Sequence, residues 1–140
     1  MQSRKDKEEV FFKPFLARDK RSLEEIIAAD TASFKGLGLS FEQVAAFLKK
    51  MLNSAVAELG RSVIVEGRWE VRAEEARGTI PCPFGDSRWP KDLITVKDLG
   101  KGVAISFSSL SLHLLAEHHF LQGKGSSFRL EPEKLKAISE

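Results

Sequence analysis

One cysteine, no tyrosine and two methionines stand among the 140 residues of this chain. A lone Cys82 cannot close an intramolecular disulfide, so the cross-links of small secreted domains are excluded and a reducing, cytoplasmic compartment is the expectation. No apolar run approaches the roughly 18 residues of a membrane span. The apolar patch Val10, Phe11, Phe12 is broken by Lys13 and Pro14 before it can serve as a signal peptide, so no membrane association is expected. Charge of one sign is also missing: 22 basic against 20 acidic residues leave +2, too balanced to announce a phosphate-seeking surface. No repeat and no RNP-like signature is found, and Trp69 and Trp89 read as core rather than as base-stacking platforms, which argues against nucleic acid as a partner.

What is present is a core. Ten Phe and two Trp, within an apolar content of 42%, suffice for a single domain that needs neither disulfide nor structural metal to fold. Residues 1 to 9, MQSRKDKEE, carry six charges and read as a mobile tail, leaving 10 to 140 as the folded domain.

Ser22 with Glu25 is a capping box, and predicts a helix from about 22 to 30. After Gly36-Leu37-Gly38-Leu39, Ser40 and Gln43 repeat the signal, and Val44, Leu48, Met51, Leu52 and Ala55 recur on one face of a long helix that ends at Gly60. The period then falls to two. Val63 to Val65, a Glu66-Gly67 turn and the alternation Trp69, Val71, Ala73 predict a first hairpin; 93 to 97 and 103 to 107 predict a second. Between them Thr79 to Pro90 holds three prolines and reads as a long, semi-rigid loop. A third helix capped by Ser108 or Ser109 runs through Leu121 and is apolar on most sides, and Pro132 opens a last helix. The fold class is α+β: a four-stranded antiparallel sheet from two hairpins, packed against the long helix and the buried C-terminal-half helix. An unpaired sheet edge makes a homodimer one admissible assembly.

All three histidines, His113, His118 and His119, fall in the third helix, and Cys82 precedes Asp86 by four residues. Thiolate, imidazole and carboxylate are zinc ligands, and H-x4-H is the spacing of the histidine half of a zinc finger. A finger needs a second cysteine, which is absent. On a regular helix His118 lies about 140° around from His113, so convergence requires a helix frayed or tightened near its end. Two converging histidines with Cys82 and Asp86 would then complete a four-ligand site. His113 and Glu117, at i and i+4, form a second candidate pair for proton handling, and Cys82 with a histidine would make a thiol-enzyme dyad, although no catalytic signature surrounds either. Gly123 to Ser127 followed by Arg129 offers Lys124, Ser126, Ser127 and Arg129 as an anion cradle, against which stands its position at the negative end of a helix dipole. The sequence therefore supports a small binding or interaction domain with no assignable catalytic residues and no obligatory cofactor. A zinc-assisted or thiol-dependent hydrolase built on the Cys82 loop and the histidine helix is the alternative.

Overall fold

A computed structural model describes residues 12–140, and the tail expected over 1 to 9 lies outside the described residues. After a helical stretch over residues 12–16 (α1), Ser22 accepts from the Glu25 backbone N–H while Glu25 reaches back to the Ser22 N–H, and this reciprocal cap starts α2, Leu23–Gly36. The helix runs six residues past the expected end at 30. Asp30 is buried inside α2 as the partner of Arg129, and the helix runs on through it.

Ser40 caps α3, Phe41–Val56, through the Gln43 N–H, and Val44, Leu48, Met51 and Ala55 form its buried face. The helix stops before Leu59, which is about half exposed, and a short turn carries the chain to Gly60. Leu48 has no exposed surface, so Leu48→Ala is expected to cost about 2 to 5 kcal/mol, whereas Lys49→Ala on the open side should cost under about 0.5 kcal/mol. Urea titration of both variants checks the assignment of faces.

The sheet is an antiparallel meander in the order β1-β2-β3-β4, formed by Val63–Val65, Trp69–Pro81, Arg88–Asp98 and Ala104–Phe107. Glu66 and Gly67 both take positive φ, 53° and 66°, the combination that lets a two-residue reversal match the strand twist. Trp69, Val71, Ala73, Ile94, Val96, Ile105 and Phe107 face α3 and the later helices, α4, Ser109–His118, and α5, Pro132–Ser139. The class is α+β, as the pattern predicts. Among the described residues no helix is long and apolar enough to cross a membrane.

One expectation is overturned. Thr79 to Pro90 is not a long loop: β2 continues through Pro81, β3 starts at Arg88, and Thr79, Ile80 and Pro81 pair with Pro90, Trp89 and Arg88 after a bulge between Ala76 and Thr79. Proline is excluded from a strand with neighbours on both sides because it lacks an N–H. β1 pairs only with residues 69–71 and β4 only with 94–97, so this far end of the hairpin is two strands wide and each proline lies on a free edge.

Gly123 shows how closely α1 is applied to the body. Its N–H donates to the Phe15 carbonyl at 2.7 Å, and a Cβ there would sit 2.2 Å from the Leu16 carbonyl oxygen. Gly123→Ala is thus expected to cost about 1 to 3 kcal/mol through overpacking against main chain, which cannot rotate aside. A thermal midpoint equal to wild type would disprove that contact.

Candidate metal centre

The β2–β3 reversal is a four-residue turn, Cys82-Pro83-Phe84-Gly85, closed by the Gly85 N–H to the Cys82 carbonyl at 2.8 Å. Proline second and glycine fourth are the residues such a turn favours. Cys82 N–H also donates to the Ser87 carbonyl at 2.8 Å, so the loop of 82 to 87 is short and stiff, and it holds the Cys82 thiol and the Asp86 carboxylate on the same side. Opposite it lies α4. Ser108 and Ser111 form the reciprocal cap, and Asp92 on β3 accepts from the Ser109 N–H at 2.7 Å, placing a carboxylate at the positive end of the helix.

From α4, His113 and His118 both turn to Asp86. His113 Nε2 lies 3.0 and 3.1 Å from the two carboxylate oxygens, and His118 Nε2 lies 2.8 Å from Oδ2 and 3.8 Å from the Cys82 sulfur. One donor atom from each of Cys82, Asp86, His113 and His118 can be chosen so that all four lie within 4.8 Å of one another. The helix needs no distortion before His118 to achieve this. Its two rings, 5.2 Å apart at the centroids, reach from either flank to a carboxylate inserted between them.

His119 takes no part. At φ 54° it is the left-handed residue that ends α4, three residues short of the expected Leu121, and its ring stacks on Phe41 at 4.1 Å on another side of the helix. Nor does His113 engage Glu117, since its ring nitrogen is turned to Asp86.

Each imidazole that faces Asp86 lies against an aromatic ring, His118 parallel to its neighbour and His113 tilted by 33°. Phe84 stacks on His118 at 3.9 Å and 7°, and Trp89 lies against His113 at 4.8 Å. Ser87 then fixes the carboxylate: its hydroxyl donates to Asp86 Oδ1 at 2.8 Å and accepts from Trp89 Nε1 at 2.8 Å. Of these three supporting residues, Phe84 and Ser87 were not singled out from the sequence, and Trp89 reads there as core. Phe84 and Ser87 stand within two residues of Asp86 and Trp89 within three, and that nearness to a loop-borne ligand candidate was the local signal for them.

The Cys82 thiol, the Ser87 hydroxyl and the two imidazoles hold Asp86 well below the usual carboxylate range, so it is anionic at any physiological pH. Burial, and then the neighbouring carboxylate, push the Cys82 thiol up. Cys82 is 2% exposed, the His113 and His118 side chains 8% and 20%, and Asp86 40%, so the cluster opens to solvent on the carboxylate side.

The other candidate residues meet a different fate. Arg129 makes a bidentate pair with Asp30 at 2.8 and 2.9 Å and binds Glu131 at 2.8 Å, with its side chain 6% exposed. Ser126 donates to Gln122, and the Lys124 N–H donates to Asp19. The structure does not bring Lys124, Ser126, Ser127 and Arg129 to one open cradle; the anions met there are the chain's own carboxylates. No protein-family model matches the chain, and no curated protein or solved structure matches it at a significant level.

Proposed function

We propose that this chain is a small zinc-binding domain in which Cys82, Asp86, His113 and His118 hold the metal and thereby fasten the β2–β3 loop to α4. The single observation that carries the reading is the spacing of the donor atoms. Zinc bonds of about 2.0 to 2.3 Å at tetrahedral angles set ligand atoms roughly 3.3 to 3.8 Å apart. Around Asp86 Oδ2 and His118 the pairs stand at 2.8, 3.1 and 3.8 Å, and all the donor pairs lie within 4.8 Å, so adjustments of about an ångström would admit the ion. A thiolate, two neutral imidazoles and a carboxylate are a borderline-soft donor set that suits zinc over magnesium or calcium. Without an ion the imidazole N–H groups donate to Asp86; a bound metal would take the place of those protons and of the thiol proton.

Four protein donors leave no open position, which favours a structural ion in a binding module over a catalytic one. The test is elemental analysis of protein prepared without a histidine tag, followed by cobalt substitution. One equivalent of zinc is expected, and cobalt-loaded protein should show a thiolate-to-metal absorption band that Cys82→Ser abolishes. Metal content unchanged in both Cys82→Ser and His113→Ala would defeat the reading.

The hydrolase alternative draws on one observation, the 40% exposure of the Asp86 side chain. A carboxylate that left the metal would open a position for water. Azide added to the cobalt-loaded protein separates the two readings: an altered visible spectrum speaks for an open position, and an unchanged one for a closed structural site. A thiol-dependent reaction is disfavoured by the burial and raised pKa of Cys82.

A further inference from the structure

The loop that carries Cys82 and Asp86 is held from two sides. On one side Phe84 stacks on His118, with ring centroids 3.9 Å apart and planes 7° from parallel. On the other, Phe84 meets the ring of Phe12 from α1 edge to face, at 4.8 Å and 80°. Phe120, just past α4, completes the group at 6.1 Å from Phe12 and 6.2 Å from Phe84. Cys82 lies in the same apolar cluster, together with Leu23 and Ile26 of α2. A run of three rings, Phe12, Phe84 and His118, therefore joins the N-terminal helix to one of the four ligand candidates.

α1 is the element by which these contacts can be made or broken. Of residues 12–16 only Phe12 is buried; Lys13 and Pro14 are exposed, and Phe15 and Leu16 are half-buried. So short a helix has little stability of its own and depends on the surface it is laid against. That surface is the loop of 82 to 87 on one side and, on the other, Gly123, whose N–H donates to the Phe15 carbonyl at 2.7 Å. We propose that Phe12 is a positioning residue of the metal centre: by backing Phe84 it sets the His118 ring toward Asp86 and Cys82, so that docking of α1 and zinc at the site favour each other. The proposal rests on the zinc reading and adds to it what governs the affinity. Linkage of this kind is reciprocal, so the factor by which docked α1 raises zinc affinity is also the factor by which bound zinc suppresses the undocking of α1.

The test measures the zinc affinity of the full chain by competition with a chromophoric chelator. Phe12→Ala is expected to bind zinc about tenfold more weakly than wild type, the low end of what outer-shell partners of metal ligands command, because a stacked ring orients an imidazole without polarising it. Phe12→Leu, which keeps apolar bulk but not the ring, should lose less. Leu48→Ala, which loosens the other apolar cluster, should keep the affinity within about twofold. In the wild type, hydrogen exchange of the Gly123 amide should quicken about tenfold when zinc is removed, and stay faster than that of the Leu48 amide inside α3. This second measurement needs no variant, and decides the matter should Phe12→Ala fail to fold. Zinc affinity unchanged in Phe12→Ala, or lost equally in Leu48→Ala, overturns the proposal, as does a Gly123 amide that exchanges at one rate with and without zinc. Those results leave the four-ligand site standing, whereas a wild type that takes up no zinc overturns the site and the coupling together.

Discussion

Stripping zinc from the loaded domain is expected to lower its unfolding free energy by about 4 kcal/mol, the stabilisation supplied by a ligand present at about a thousandfold its dissociation constant. For a chain of this size that corresponds to a fall of roughly 12 °C in Tm. The sign follows from where the donors sit. Cys82 and Asp86 belong to one turn, and His113 and His118 to a helix beyond two further strands, so an ion held by all four would bind the folded arrangement and find no comparable site in the unfolded chain. Thermal scans with and without a chelator measure the effect, and Cys82→Ser should remove most of the chelator response. Identical midpoints for loaded and chelated wild type would show that the four residues form a hydrogen-bonded cluster and nothing more.

Arg129→Met is expected to cost about 3 to 5 kcal/mol, because it leaves the Asp30 carboxylate buried without its charge partner. Asp30 is 4% exposed and takes two of the guanidinium N–H groups, while Glu131, the other carboxylate on Arg129, is 44% exposed and keeps its water. Coupling Arg129→Met to Asp30→Leu should restore most of the loss, since two apolar residues of similar volume avoid the desolvation that the pair must offset. Denaturant midpoints of the two single variants and the double decide this. A single-variant cost under about 1 kcal/mol would mean that the pair is solvated in the folded protein.

The same pair explains where sequence reasoning reached its limit. Local signals were legible: the Ser22 box, the Ser40 cap, the Ser108 cap and the alternation of Trp69, Val71 and Ala73 each depend on neighbours within four residues. Asp30 and Arg129 are 99 residues apart, so nothing near Asp30 reveals that it is buried and that α2 runs on through it. Pro81 and Pro90 misled for the opposite reason. The local rule against proline in a central strand is sound, but whether a strand is central depends on how far β1 and β4 extend, which is a property of the whole sheet. Three of the four ligand candidates were legible because their residue types are few, with one cysteine and three histidines in the chain, and Asp86 because it follows Cys82 by four residues. Their convergence was not, since the helical angle between His113 and His118 says nothing about a carboxylate arriving from another element.

The meander order of the strands bears on how the molecule assembles. Every strand pairs with its neighbour in the chain, so the sheet can zip up through successive short closures, each with a small entropic cost. The helix at the C-terminus has no such advantage: the Trp69 indole N–H donates to the Ile138 carbonyl across 69 residues. Docking of α5 is therefore expected to follow formation of the sheet that receives it, completing the burial of an indole that a half-built molecule would leave wet.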